Sequence, residues 1–292
     1  MKKRQRYWLA FLIAVCMGFI LIGGMHYVSS LRDDLTDEAV QNVLTVTTQQ
    51  QQAFDNFIAG DRERLHSFAE YFAKNGYERP EEIQQQLTLF NEVDAVYSVV
   101  DLDAGWFCSN RSGSIRMLSA ESLASYSGFT GSGVRDSYTN ILSGDPEFGY
   151  YEAFTFENGN RGMIQKSYDR SKVSNTFSLS FYNDRGFAYV VDQNGGILLH
   201  SNGMLGNRLY NSIFDVFSGE HGSQADKDSL MAAMAARESG SKVFTGDGEE
   251  YVYTYVPMET VDDWYLVSII KMEAITEEAD KILMDSQLAM LV

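Results

Sequence analysis

Arg135 carries a guanidinium, the side chain best shaped to hold a carboxylate bidentately. It sits in GSGVRDS, a polar and glycine-containing segment where an Arg is ordinarily just solvated. Tyr138, Tyr150 and Tyr151 could wall a pocket and present a hydroxyl to it, against the commoner fate of a sheet aromatic, which is core packing. Trp106 opens a β-rich run and has the area to stack on a ligand or to fill a core. Asp101 and Asp192 each close a Val-Val-Asp segment ahead of a glycine turn, a place where a carboxylate caps the turn rather than serving as acid or base. Asp101, Asp103 and Asn110 lack the twelve-residue spacing and terminal Glu of a calcium loop. His26, His66, His200 and His221 are scattered, and no His-Glu-x-x-His, Gly-x-Ser-x-Gly or phosphate-binding Gly-Lys-Ser/Thr occurs. His200, on a hairpin strand, reads as structural. Cys108 reads as a small buried hydrophobe, with thiol sensing as the sharper alternative. Together with Cys16 it allows at most one bridge, which excludes a disulfide framework and a multi-cysteine metal site. The inventory is one of binding, with no metal and no cofactor implied.

These side chains need a folded body to position them, and composition supplies one. The 292 residues are 45% hydrophobic and 13% aromatic with three prolines, which excludes disordered, Pro-rich and collagen-like chains. Lys2, Lys3, Arg4 and Arg6 are the only charges among the first 30 residues, leaving 19 of the 23 bases against all 40 acids in the rest. So acidic a body repels phosphates, and nucleic acid is excluded as a partner.

Residues 7–28, from Tyr7 to Val28, carry no formal charge over 22 residues, enough at about 1.5 Å each to cross a hydrocarbon core of roughly 30 Å. The four cations before this run favour a cytoplasmic N-terminus, residues 1–6, and put the chain from about residue 29 onward outside the cell membrane. A cleavable signal peptide, with a weak site near Val28 and Ser30, is the competing reading, but its apolar core is usually about 7–15 residues. At the other end Leu288, Ala289, Met290, Leu291 and Val292 begin an apolar run, read here as the mouth of a second span with an output domain beyond it.

Leu31, Leu35, Ala39, Val43, Val46, Gln50, Ala53, Phe57, Asp61, Leu65, Phe68 and Phe72 recur every three or four residues, which predicts one very long stalk helix over 29–75, ended by Asn75-Gly76. So long an apolar side needs covering, and a homodimer through Leu31–Phe72 is expected to cover it. Pro80-Glu81-Glu82 opens a second helix. Residues 93–101 and 106–110 then read as a hairpin. The segment YSVVDLDAGWFCSN from Tyr97 has a close copy in YVVDQNGGILLHSN from Tyr189, with Asp101 and Asp192 in equivalent places 91 residues apart. This is a tandem repeat. In the first copy a helix-prone, Gly-rich stretch leads to strands over 148–157 and 162–168. In the second, a helix over 224–238 leads to strands over 242–245, 250–257 and 264–270. Residues 171–183 are expected to form the helix that opens the second unit, and 273–286 a helix returning the chain to the membrane.

On these residues the chain resembles the double Cache sensors, tandem extracellular PAS-like domains of bacterial histidine kinases, diguanylate cyclases and chemoreceptors. The most specific parts are GFAYVVDQNGGILLHSN from Gly186 and DDWYLVSII from Asp262, similar to the opening hairpin and last strand of the membrane-proximal unit. The resemblance implies an α+β fold, with a membrane-distal unit over 76–170, a proximal unit over 171–272 and a small-molecule ligand in the distal one. Amino-acid-binding members carry an Arg, one residue on a Trp-Tyr pair, then Tyr-x-Asp and a late-strand Asp. Here Arg135 and Tyr138 stand, Ser137 replaces the Trp, Tyr151 leads into Glu152-Ala153, and Ser167 falls about where the Asp belongs, with Asp169 as a substitute two residues on. The signature is broken at the acid that would hold an ammonium group. The resulting expectation is an extracytoplasmic, non-enzymatic sensor of a transmembrane receptor, with Arg135, Tyr138, Tyr151, Trp106 and Asp169 as ligand contacts. Its rivals are an anchored extracytoplasmic enzyme and an adhesion module.

Overall fold

A computed structural model describes residues 2–75, 77, 79–90, 92, 95–139, 146–169, 173, 180–181, 185–200, 212–218, 223–246, 248–277 and 281. It opens with α1 (Lys2–Lys74), a single helix of 73 residues and therefore roughly 110 Å long. The apolar run and the stalk are one element. Its N-terminal part is long and apolar enough to cross a membrane, and none of that window is covered by the rest of the chain.

Beyond it, Val43, Thr47, Gln51, Phe54, Ile58, Asp61, Leu65, Ala69 and Phe72 are buried at helical spacing. Their partners lie within the same chain: two sheets cover this side of the helix. The reason is geometric: the helix is apolar along one side, and one face of each sheet supplies the apolar partner for it.

The first sheet contains β1 (Ala95–Asp101), β2 (Trp106–Ser109), β3 (Arg116–Met117), β4 (Ser132–Thr139), β5 (Pro146–Thr155) and β6 (Arg161–Asp169). Its strands run antiparallel in the order β3-β2-β1-β6-β5-β4. The short helices α2 (Pro80–Leu87) and α3 (Ala120–Ala124) flank it. The second sheet contains β7 (Ser180–Phe181), β8 (Gly186–Asp192), β9 (Ile197–His200), β10 (Gly240–Gly246), β11 (Glu249–Pro257) and β12 (Trp264–Lys271), ordered β10-β11-β12-β8 with β7 and β9 both on β8. A helix, α4 (Gln224–Ala235), precedes β10. The order β2-β1-β6-β5-β4 is repeated as β9-β8-β12-β11-β10, so the sequence repeat is a repeat of topology.

The paired aspartates cap as their positions require. Asp101 Oδ1 accepts from the Asp103 and Ala104 amides at 3.0 and 2.7 Å, and Asp192 Oδ1 accepts from Asn194 and Gly196 at 2.8 and 2.9 Å. Gly105 and Gly195 take φ of 76° and 78° in the same two turns, a region that favours glycine. Two segments differ from their sequence reading. The Gly-rich stretch before Phe148 contains α3 and then the edge strand β4, because pairing with β5 overrides its weak β propensity. Ser180 and Phe181, expected in a helix, pair with β8, while 171–172, 174–179 and 182–184 lie outside the described residues. The last helix is present at 272–277, and the remaining residues to 286, apart from 281, lie outside the described part.

The core is continuous along α1. Phe54, Ile58, Leu65 and Phe72 pack with Tyr97, Val99, Phe148 and Ile164 of the first sheet and with Val190, Trp264 and Leu266 of the second. Each such side chain contributes about 1.5–3 kcal/mol by leaving water. Polar contacts fix the register that apolar packing leaves free. Asp55 accepts from the amides of Glu259 and Thr260 at 2.9 and 3.0 Å and from the Thr260 hydroxyl. Thr47 Oγ1 meets Thr254 Oγ1 at 2.7 Å and Ser268 Oγ at 2.9 Å. Ile275 closes against Val43, so the chain near its described end returns to the middle of α1.

Candidate ligand-binding site

Alternation along the strands of the first sheet divides its residues between two faces. Tyr97, Val99, Trp106, Cys108, Tyr150, Ile164, Lys166 and Tyr168 face α1. Val100, Phe107, Tyr151 and Met163 form a separate cluster on the opposite face, together with Tyr126 and Phe129 from the segment after α3. Arg135, Gly149 and Ser167 make one cross-strand row of that opposite face, and Gly133, Tyr151 and Gln165 lie in the next.

Arg135 is on the edge strand, yet it is partly buried, and Gly149 explains why. With no side chain on β5 in that row, the guanidinium crosses the strand and Nη1 donates to Gln165 Oε1 on β6 at 3.3 Å. Its Cζ lies 5.2 Å from the Tyr126 ring centroid and 5.0 Å from that of Phe129, within cation–π range of both. Burial raises the Tyr126 phenol and the neighbouring Arg135 charge partly offsets this. Phe129 packs on Tyr151 at 4.7 Å, and the Tyr151 hydroxyl lies over Gly133, where an added Cβ would be 2.6 Å from it. The result is a cation held between aromatic walls above the Gln165 amide, a group suited to capturing an anionic solute.

A cavity of about 490 Å³ adjoins this group. It lies between the α3 segment and the far ends of β5 and β6, lined by Leu102, Leu123, Tyr126, Phe129, Phe154 and Arg161 among others, so it shares Tyr126 and Phe129 with the Arg135 group. Among the described residues, no group of three or more His, Cys, Asp or Glu is disposed to hold a metal ion.

The structure brings together only part of what the sequence singled out. Arg135 and Tyr151 share the face and the aromatic wall. Asp169 is on that face one row beyond Ser167, opposite Glu147, whose side chain is buried. Tyr138 is also paired with Glu147, beyond a bulge in β4, and its side chain lies outside the described residues. Trp106 is the correction: its register turns it toward α1, where it packs on Phe156 at 5.9 Å, away from Arg135. Tyr150 likewise faces α1. Sequence reasoning missed Gln165, Tyr126, Phe129 and Glu147. The run Met163-Ile-Gln-Lys-Ser-Tyr did carry a signal, since a strand with polar residues on both faces has work on both.

Behind the site, on the α1 face, is a buried ionic cluster. Lys166, 1% exposed, places Nζ 2.7 Å from Asp61 Oδ1 and 2.7 Å from Glu92 Oε2. Tyr168 donates to Asp61 Oδ2 at 2.5 Å, and Tyr97 and Arg64 donate to Glu92 at 2.7 and 2.5 Å. Burial pushes Glu92 up, but Lys166, Tyr97 and Arg64 outweigh it and leave its carboxyl below the usual range. Burial first, then the carboxylates they serve, raise the phenols of Tyr97 and Tyr168. On the solvent side His66 meets Glu152 at 3.0 Å, which raises the imidazole.

No protein-family model and no curated protein sequence matches the chain. Solved structures do. The ligand-binding domain of the Pseudomonas fluorescens chemoreceptor CtaA, in complex with L-isoleucine, is similar with a TM-score of 0.63 at 14% identity, over 85% of this chain and 98% of that one. The ligand-binding domain of the Campylobacter jejuni chemoreceptor Tlp3, in complex with L-norvaline, gives 0.62 at 12%, over 83% and 94%. The extracellular domain of mmHK1S-Z2, described as a histidine kinase, gives 0.59 at 15%, over 81% and 98%. With a long N-terminal helix spanning two antiparallel sheets of repeated order, the chain has the fold of the tandem Cache-type sensor domains of chemoreceptors and histidine kinases.

Proposed function

We propose that the chain is the extracytoplasmic sensor of a membrane receptor and binds a small carboxylate-bearing solute in its first, membrane-distal unit. The observation that carries this reading is Arg135, drawn across Gly149 to Gln165 between the rings of Tyr126 and Phe129, on the sheet face that α1 leaves uncovered. A guanidinium so oriented pairs with a carboxylate through two parallel hydrogen bonds. The ligands named for CtaA and Tlp3, L-isoleucine and L-norvaline, are carboxylates, which supports the class. Around Arg135 the β6 positions are Gln165 and Ser167, so an ammonium group on the solute would have to reach the Glu147–Asp169 row, roughly 6.6 Å along the strands. In this reading residues 7–28 of α1 span the cell membrane with residues 1–6 in the cytoplasm, and residues 29–286 lie outside.

The test is a thermal-shift panel on the full chain in lipid nanodiscs: organic acids, α-amino acids, ω-amino acids, and amines and sugars as carboxylate-free controls. A solute at about a hundred times its dissociation constant adds roughly 2.7 kcal/mol of stability. Upward shifts confined to carboxylates support the reading. Shifts from amines or sugars alone, or none across the panel, reject it.

A further inference from the structure

The first sheet connects its two faces through single residues. On β6, Lys166 faces α1 while its neighbours Gln165 and Ser167 face the Arg135 group; on β5, Tyr150 faces α1 while Gly149 and Tyr151 face that group. Tyr150 and Lys166 are direct cross-strand partners. Lys166 reaches the buried Asp61 of the helix, and the Tyr150 ring lies 6.5 Å from that of Tyr168, which also binds Asp61.

In the observed arrangement Asp61 belongs to β6. Lys166 takes Oδ1 at 2.7 Å and Tyr168 takes Oδ2 at 2.5 Å. The Tyr150 hydroxyl is fully buried with no hydrogen-bond partner among the described residues, and after burial itself the Asp61 charge is what raises its phenol most. An unsatisfied buried hydroxyl disfavours the arrangement that contains it, and a carboxylate nearby offers the remedy. Lys166 has a second anchor in Glu92 at 2.7 Å, so it can release Asp61 without losing every counter-charge. The elements of a two-position switch are therefore present: one buried acceptor on α1, donors on two adjacent strands, and residues on the Arg135 face beside each donor.

We propose that Asp61 receives the signal of the distal site, passing between donors on β6 (Lys166 and Tyr168) and the donor on β5 (Tyr150) as the Arg135 group changes. The inference rests on the ligand-binding reading above and adds the route by which that site reaches α1. Six residues before Asp61, Asp55 ties the same helix to residues 259–260 of the second unit. A change of donor at Asp61 thus shifts α1 against a fixed point, and α1 continues unbroken to Lys2.

The test needs no solute. Hydrogen-exchange mass spectrometry is run on the full chain in nanodiscs for wild type, Arg135→Ala, Tyr150→Phe and the double variant. The expected result is that Arg135→Ala changes exchange of the α1 amides around Asp61 by about threefold or more, and that the change largely disappears in the Tyr150→Phe background. A merely structural Tyr150 would leave the effect of Arg135→Ala intact, so equal changes in both backgrounds overturn the proposal. No change from Arg135→Ala in wild type also overturns it. Should Tyr150→Phe fold poorly, Asp61→Asn replaces it, with the same expected and contradicting results. A carboxylate that binds through Arg135 while the cycle is additive refutes the switch alone; a failed solute panel with a non-additive cycle refutes the ligand reading alone.

Discussion

Cys108 shows what burial does to one side chain. It is fully buried on β2, and burial pushes its thiol up to about 12, so the thiolate that would react is scarce at ordinary pH. Iodoacetamide at pH 8 should label the Cys108 peptide only as fast as the protein opens, with prompt labelling in denaturant; prompt native labelling would restore a redox role. Asp55 is a second single-residue test. Its carboxylate satisfies two amides and a hydroxyl of residues 259–260, and Asp55→Ala leaves all three without that partner. The expected loss is about 1–3 kcal/mol, read as a lower denaturation midpoint. Neither Asp55 nor Asp61 stands out as functional in the sequence, although Asp61 falls on the apolar stripe of α1. A polar residue at a core position is the available signal, and its partner 105 positions away cannot be read without the fold.

Elements are legible where local chemistry decides them. The two hairpins announce themselves because Asp101 and Asp192 cap turns that glycines complete. Strand β4 does not, because Ser132, Gly133 and Asp136 have low β propensity and only pairing with β5 makes them extended. The face of a strand is set by register, which explains why Trp106 is expected at the ligand and belongs to the core. Gly149 tests the site at this scale: an added Cβ would sit 2.5 Å from the Lys166 carbonyl oxygen. Gly149→Ala should lower stability by about 1–3 kcal/mol and disturb the crossing of Arg135 to Gln165, seen as a lower Tm and weaker solute binding. The ionic cluster gives a pH dependence. Glu92 is held below the usual carboxylate range, so its contribution is present above the unfolded value of about 4.3 and is lost as pH falls through the lower folded value. The Tm difference between wild type and Glu92→Gln should be largest near neutrality and shrink through that acid range. A difference independent of pH would contradict the assignment.

At the scale of the whole molecule, α1 is the common wall of both sheets, and its buried side carries the periodicity. Among its polar anchors, Thr47 and Asp55 hold it to the second unit and Asp61 to the first. The repeat makes the two-unit plan readable, but not that both units share one core along one helix, since that core forms between residues such as Phe148 and Trp264, which pack at 5.4 Å. The central claim is that a carboxylate is held by Arg135 in the first unit. The most direct measurement is calorimetric titration of wild type and Arg135→Ala with the carboxylate that raises Tm most. The account predicts binding about a hundredfold weaker in the variant, roughly 2.7 kcal/mol, with the unliganded Tm little changed. Equal affinity in the two proteins would place the ligand elsewhere and contradict it.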